Sequence, residues 1–428
     1  MARHLHVVVK RDVMGTLTQT DTGALEFRYE DAWREGEAAF PLSLSMPLAL
    51  HEHTGPHVRG FVDGLLPDDR DIRGRWARRF GVSAGNPFAL LEHMGIDCPG
   101  AVQFLTEADM LRVLSGEDDD DVVWHTETEI GEMLRDLVAR RGVGRPPSWG
   151  AFSLAGAQPK TALLEREGRW GTPRGSIPTT HILKPPADAE LADLEINEHY
   201  CLVLAEELGL DVASSRVLSF DGQPAIVVSR FDRVVAQGDW PERVHQEDFC
   251  QALGIAPDRK YEAEGGPGMR EVLALLADWS DAPEDDRTVM IESLALNWVI
   301  GGSDAHARNY SILLTRGEQV ELAPLYDIIS VLPYPRLVPE REVRLAMRIG
   351  REYELSKIGR RQWTKLAEIC GLGTAEVLDL VGDLVASIPE ANERACDRVV
   401  RTGLGGAFPT RLRELVRDRA DRCLAALS

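Results

Sequence analysis

The feature that most constrains this chain is the order of its periodicities. Strand-like segments come early, helix-like segments come late, and the helical stretch LADLEINEHYCLVLAEELGL (191–210) stands between them. Upstream, LHVVVK and RDVMGTLTQTDTGALEFRYE alternate as strands around a turn at Asp21-Thr22-Gly23. NPFALLEHMG opens as a helix, with Asn86 able to cap and Pro87 in the first position. AFSLAGAQPKTALLEREGRW and TTHILKP read as strands, and SSRVLSFDGQPAIVVSRFDR as a hairpin on Asp221-Gly222. Helical patterns follow in QEDFCQALGI, GMREVLALLADW and DRTVMIESLALNWVIGG, then a hairpin in NYSILLTRGEQVELAPLYD and further helices. The helix at 191–210 is expected to be amphipathic and to end at Gly209.

This order predicts an α+β protein with two lobes. Residues 1–116 form a small N-terminal α/β subdomain, and 117–149 a linker with one short helix. Residues 150–240 form a sheet lobe and 241–428 a large helical lobe.

The net charge of −21 excludes nucleic-acid binding through the overall field, so any DNA contact needs a local patch or a partner. RDIRGRWARRF (70–80) is the one basic stretch. It reads first as a solvated helix face, and second as a phosphate-binding patch. The six cysteines are scattered without a CxxC pair and are expected to be buried free thiols, which suits the cytoplasm. No stretch has the length of a membrane-spanning helix, and the start of the sequence reads as neither signal peptide nor anchor.

The chemistry concentrates in IGGSDAHARNYSILL (300–314), where a glycine-led loop carries Asp304, His306, Arg308 and Asn309 and runs straight into an apolar strand. Phosphoryl transfer from ATP asks for a Lys and backbone N–H groups at the phosphates, oxygen ligands for Mg²⁺, and a carboxylate that orients the hydroxyl. Protein kinases place a catalytic Asp and a metal-binding Asn five residues apart. Asp304 and Asn309 have that spacing, and Asp327 follows one hairpin later in APLYDIIS, where the DFG Asp would hold Mg²⁺. The flanking Phe and Gly of that motif are missing. The structural alternative is an Asp or Asn capping a turn.

Upstream, Lys160 and Lys184 lie in apolar strands, an unusual place for an ammonium group unless an anion meets it. The alternative for Lys184 is snorkelling on an edge strand. Glu195 and Glu198, three apart on the following helix, could each pair with a sheet lysine. The turn Ala155-Gly156-Ala157-Gln158-Pro159 lacks a G-x-G-x-x-G pattern.

These stretches resemble the HipA family of bacterial serine/threonine protein kinases, the toxin halves of HipBA type II toxin–antitoxin modules. The match runs in family order from about 60 to 330 through FVDGLLPDD, NPFALLEHMGIDCPGAV, FSLAGAQPKTALL, THILKP, NEHYCLVLAEELGL, SRFDR, HQEDFCQALGI, NWVIGGSDAHARNYSILL and APLYDIIS.

The resemblance implies a bilobal protein-kinase-like fold, with ATP and Mg²⁺ as cofactors. It implies Asp304 as the catalytic carboxylate and Asn309 and Asp327 as Mg²⁺ ligands. Lys184 would meet the nucleotide phosphates, with Glu198 as its helix partner. Ala155, Gly156, Ala157, Gln158 and Lys160 would form the phosphate loop, and Ser153 the autophosphorylated serine. Arg230 and Phe231 would lie at the adenine hinge, and His306 is placed with the nucleotide contacts or as a loop-packing residue.

Pro159 and Ser229 depart from the family pattern. Implied partners are a small helix-turn-helix, HipB-like antitoxin, operator DNA through that antitoxin, and an aminoacyl-tRNA synthetase as substrate whose phosphorylation halts translation. The alternative from another class is a weakly catalytic corepressor that binds the antitoxin and its operator.

Overall fold

The computed structural model describes residues 2–116, 121–139, 158–186, 191–235, 240–315, 317 and 319–428. Ser153, Ala155, Gly156 and Ala157 lie outside them. Packing groups the chain into two units. The first comprises Met1–Pro185, Ser219–Asp258 and Ser311–Ala323, and the second Pro186–Leu218, Arg259–Tyr310 and Pro324–Ser428.

The first unit is rich in sheet. Strands Glu52–Thr54, Leu25–Tyr29, Asp12–Gln19, Arg3–Val9 and Val102–Leu105 are neighbours in that order, all antiparallel. Strict alternation puts Leu25, Phe27 and Tyr29 in the core and leaves Glu26 and Arg28 outside. A side chain at Gly15 would lie 2.7 Å from the Phe27 ring, so the ring packs where only glycine fits. Asn86 caps helix Pro87–Met94 by accepting the Ala89 N–H, and Pro87 takes the first turn as expected. The basic segment is helix Arg70–Phe80. It buries Ile72, Trp76 and Ala77 and leaves Arg70, Arg78 and Arg79 exposed, the solvated face expected.

A second sheet orders Gln223–Ser229, His181–Lys184, Thr161–Arg166, Arg169–Pro173 and Val122–His125. Its hairpin turn has φ +50° at Asp221 and +78° at Gly222, the left-handed pair that matches strand twist.

A buried ion-pair cluster ties the N-terminal segment to this sheet within the first unit. Asp97 meets Arg233 at 3.0 Å, Arg243 at 3.4 Å and Arg230 at 3.6 Å. Asp232 meets Arg230 at 2.8 Å and Arg233 at 2.9 Å. The Cys98, Gly100 and Thr179 carbonyls take further guanidinium N–H groups. Breaking such a cluster leaves buried charge uncompensated.

The stretch QEDFCQALGI, expected to be helical throughout, begins instead as strand His245–Asp248, paired with Ser311–Thr315. The helix starts only at Phe249, because Asp248 and Gln251 form a reciprocal capping box there.

The second unit is helical, with helices Leu194–Glu207, Met269–Trp279, Pro283–Ile300, Arg360–Cys370, Thr374–Arg401 and Ala407–Leu427. Leu194–Glu207 was expected to show one wet face. It is instead buried nearly all round, and its polar residues have partners inside the unit. His199 Nδ1 lies 2.9 Å from Ser215 Oγ, and Tyr200 donates to Asn392 Oδ1 at 2.6 Å. The Asn392 amide in turn donates to the Arg413 carbonyl at 2.8 Å, so one side chain links three helices.

All six cysteines are free thiols, five of them buried. Among the described residues no helix is long and apolar enough to cross a membrane.

Candidate active site

In the second unit, helix Pro283–Ile300 ends on Gly301 at φ +68°, whose N–H returns to the Asn297 carbonyl. A Cβ at Gly302 would lie 1.9 Å from Asn297 Oδ1. The two glycines therefore answer different needs: Gly301 supplies the left-handed cap, and Gly302 makes room for a buried amide. The chain then folds onto Asp304. Its carbonyl accepts the His306 N–H at 2.8 Å and the Asn309 Nδ2–H at 2.8 Å. Asn309 N–H reaches back to the His306 carbonyl, closing one 3₁₀ turn over Ala307–Asn309. Tyr326 donates to the Arg308 carbonyl at 2.9 Å.

Asp327 has φ +58°, a left-handed backbone that costs energy outside glycine and marks a held conformation. Clamps sit on both sides of it. Leu325 bonds Asp211 and Ala213 through backbone groups at 2.9 and 2.8 Å. The Asn197 amide grips Ser330 twice, accepting its N–H at 3.0 Å and donating to its carbonyl at 2.8 Å. Asn309 and Asp327 line one cavity of about 10 Å³ with Ser293, Asn297, Tyr310 and Tyr326. That is room for roughly one water-sized sphere.

The donor set there is all oxygen. Because Asn309 Nδ2 donates to the Asp304 carbonyl, Oδ1 is the acceptor of that side chain, and Asp327 lines the same cavity. Among the described residues no cluster of three or more His, Cys, Asp and Glu forms a metal cage. Such a set fits Mg²⁺, which takes one or two carboxylates and draws its remaining ligands from phosphates and water.

Asp304 is exposed, and its Oδ1 accepts the Tyr261 hydroxyl at 2.6 Å. Tyr261, in the stretch RKYEAEGG, belongs to no motif, and sequence reasoning passed it over. His306 is buried with its ring edge-on to Tyr261 at 5.1 Å. Burial first, and the nearby Lys260 charge second, push its pKa down to about 4, so it is neutral at pH 7. This is a loop-packing geometry.

In the first unit, Lys184 closes strand His181–Lys184 opposite Ile226 and is only 5% exposed. The strand has a neighbour on each side, so the edge-strand alternative does not hold. Gln158 and Lys160 are half-buried just before strand Thr161–Arg166, and Phe231 is half-buried beyond Ser229.

Arg230, expected among the nucleotide contacts, is a structural cation. Its guanidinium donates to Asp232, Thr179 Oγ1 and the Cys98 carbonyl, and its backbone N–H to Thr180. The string SRFDR contains Asp232 but gives no sign of Thr179 or Cys98. Glu195 and Glu198 are buried on the second unit's helix, and burial raises the Glu195 carboxyl above the ordinary range.

Residues 5–105 match the HipA N-terminal domain and residues 152–392 the HipA-like C-terminal domain. "Putative kinase Y4mE" of Sinorhizobium fredii is 36% identical over 385 residues, covering 90% of each chain. "Serine/threonine-protein kinase toxin HipA" of Shewanella oneidensis is 29% identical over 384 residues, covering 85% of this chain and 82% of that one. The solved complex of Shewanella oneidensis HipA, HipB and operator DNA contains a chain that superimposes with a TM-score of 0.83 at 25% identity. That alignment covers 98% of this chain and 97% of the other.

Proposed function

Because the chain belongs to the HipA family of serine/threonine protein kinases, we propose that it transfers the γ-phosphoryl group of ATP through Asp304, Asn309 and Asp327. The observation that carries this reading is the convergence of the three. The Asn309 amide is bonded to the Asp304 carbonyl, and Asn309 shares a cavity lining with Asp327.

In the reaction a serine or threonine oxygen forms a bond to the γ-phosphorus as the bond to the β-bridging oxygen breaks. The hydroxyl proton passes to Asp304, and ADP leaves. Asn309 Oδ1 and the Asp327 carboxylate would hold Mg²⁺, which would neutralise charge on the phosphates. Lys184 meets the phosphates. Ala155, Gly156, Ala157, Gln158 and Lys160 form the phosphate loop, and Phe231 packs on adenine. Ser153 accepts a phosphate from a second copy. Nearly two added negative charges beside the ATP phosphates then switch the kinase off.

By likeness to the HipA–HipB–operator complex, the partner is a small helix-turn-helix antitoxin that carries the chain to DNA. That route suits a chain of net charge −21. The wider role is that of a cytoplasmic toxin that phosphorylates an aminoacyl-tRNA synthetase.

Intact mass and peptide mapping before and after Mg-ATP test the core of this. One added phosphate at Ser153, absent in Asp304→Asn, supports it. No phosphate, with ATP still bound, overturns it in favour of a corepressor.

A further inference from the structure

We propose that Tyr261 is the positioning residue for Asp304: its hydroxyl fixes the carboxylate that receives the substrate proton. The inference rests on Asp304 having that role and extends it to a residue outside the loop.

An exposed aspartate on a loop has several open rotamers, and transfer needs one of them. Of the two carboxylate oxygens, Oδ1 is held by Tyr261 at 2.6 Å, within the range of a hydroxyl bonded to a charged oxygen. That leaves Oδ2 for the incoming hydroxyl. A general base oriented by a third group is a recurrent arrangement.

Tyr261 is itself well held. Its carbonyl accepts the Glu264 N–H at 3.0 Å and the Gly266 N–H at 2.9 Å. The loop is so tight that a side chain at Gly266 would lie 2.1 Å from the Arg259 carbonyl. The next residue, Glu262, is pinned by Arg348, through Nε at 2.6 Å and the backbone N–H at 2.7 Å. On the other side, the buried His306 ring packs edge-on against Tyr261. His306 lies two residues beyond Asp304 and bonds the Asp304 carbonyl through its N–H. The phenol is thus held from two directions, by its own loop and by the loop it serves. This gives His306 a reason to be buried beside an active-site aspartate: it supports the tyrosine ring.

The test uses the full chain. The Asp304→Asn chain serves as phospho-acceptor, with labelled ATP and Mg²⁺, and the enzyme is the unaltered chain, Tyr261→Phe or Tyr261→His. Tyr261→Phe keeps the ring on His306 and removes only the hydroxyl. It should lower kcat by about 10- to 100-fold, the scale of a misplaced reacting group. KM for ATP and the melting midpoint should stay unchanged. Tyr261→His, which restores a donor, should recover part of the loss and stands in if Tyr261→Phe does not fold.

An unchanged kcat, or a loss that appears in KM for ATP instead, overturns the positioning role. Transfer by Asp304→Asn used as enzyme overturns the carboxylate assignment separately. No transfer by the unaltered chain overturns both.

Discussion

Replacing Gly302 with alanine should damage both the fold and the site, and the structure sets the scale. The added Cβ would sit 1.9 Å from Asn297 Oδ1 and 2.8 Å from its Cγ. Ordinary contact begins near 3.4 Å, so the amide must retreat by roughly 1.5 Å in a close-packed interior. Asn297 is 3% exposed, and its Nδ2 donates to the Ser293 carbonyl at 2.9 Å and to Tyr310 Oη at 3.2 Å. Overpacking costs about 1–3 kcal/mol. A buried amide left without partners costs about 1–3 kcal/mol more. The stiffer unfolded chain returns only about 0.4–1 kcal/mol. The net loss is about 2–5 kcal/mol, read by urea denaturation followed by circular dichroism. Gly301→Ala should cost less, about 1–2 kcal/mol, since its penalty is a left-handed alanine and a Leu332 methyl at 3.1 Å that can yield. Because Asn297 and Tyr310 line the Asn309–Asp327 cavity, Gly302→Ala should also slow Mg²⁺-dependent self-labelling. A Gly302→Ala chain as stable as the unaltered one, or less affected than Gly301→Ala, would refute the reasoning.

Other outcomes follow from buried charge. Burial pushes the Glu247 carboxyl up to about 8, so the folded chain holds a proton that the unfolded chain has released. Its stabilisation is full below the unfolded pKa and is lost as pH rises through 8. The expected slope is about 1.4 kcal/mol per pH unit. Urea titrations from pH 6.5 to 8 should show this slope in the unaltered chain and not in Glu247→Gln; parallel curves would count against it. Burial alone would raise Asp97, but Arg230, Arg233 and Arg243 together hold it below the usual carboxylate range. Its contribution is therefore present above the ordinary carboxylate pKa and lost as pH falls through the lowered value. Asp97→Ala should cost about 3–5 kcal/mol at pH 7, measured the same way. Asn197→Ala removes both bonds to Ser330 and should cost about 2–3 kcal/mol, with a matching fall in self-labelling because the segment carrying Asp327 loses a clamp.

What could be read early was local. The Asp304–Asn309 spacing lies within one loop, and Asp327 follows one hairpin on. The caps at Asn86 and the Asp221-Gly222 turn were legible for the same reason. What could not be read depended on distant partners. Asn197 and His199 look like part of a wet helix face, yet both are buried, Asn197 against Ser330 and His199 against Ser215. Arg230 looked like a hinge residue because nothing near it in sequence announces Asp97, more than a hundred positions away. Tyr261 carries no signature, since one phenol touching one carboxylate leaves no spacing to recognise.

The knot at Asn392 bears on where this kinase can be cut. The HipA-like C-terminal match ends at that residue, but helix Thr374–Arg401 runs on through it. A chain stopped there would sever a helix in mid-course and discard Ala407–Leu427. With it would go Arg419, whose guanidinium bonds Glu340 and the Leu355 carbonyl. The Arg413 carbonyl that anchors the Asn392 amide would go as well, loosening the amide that holds Tyr200. The smallest portion able to fold around Asp327 therefore extends past the family boundary to the last helix, and sequence likeness is a poor guide to autonomy at this end of the protein.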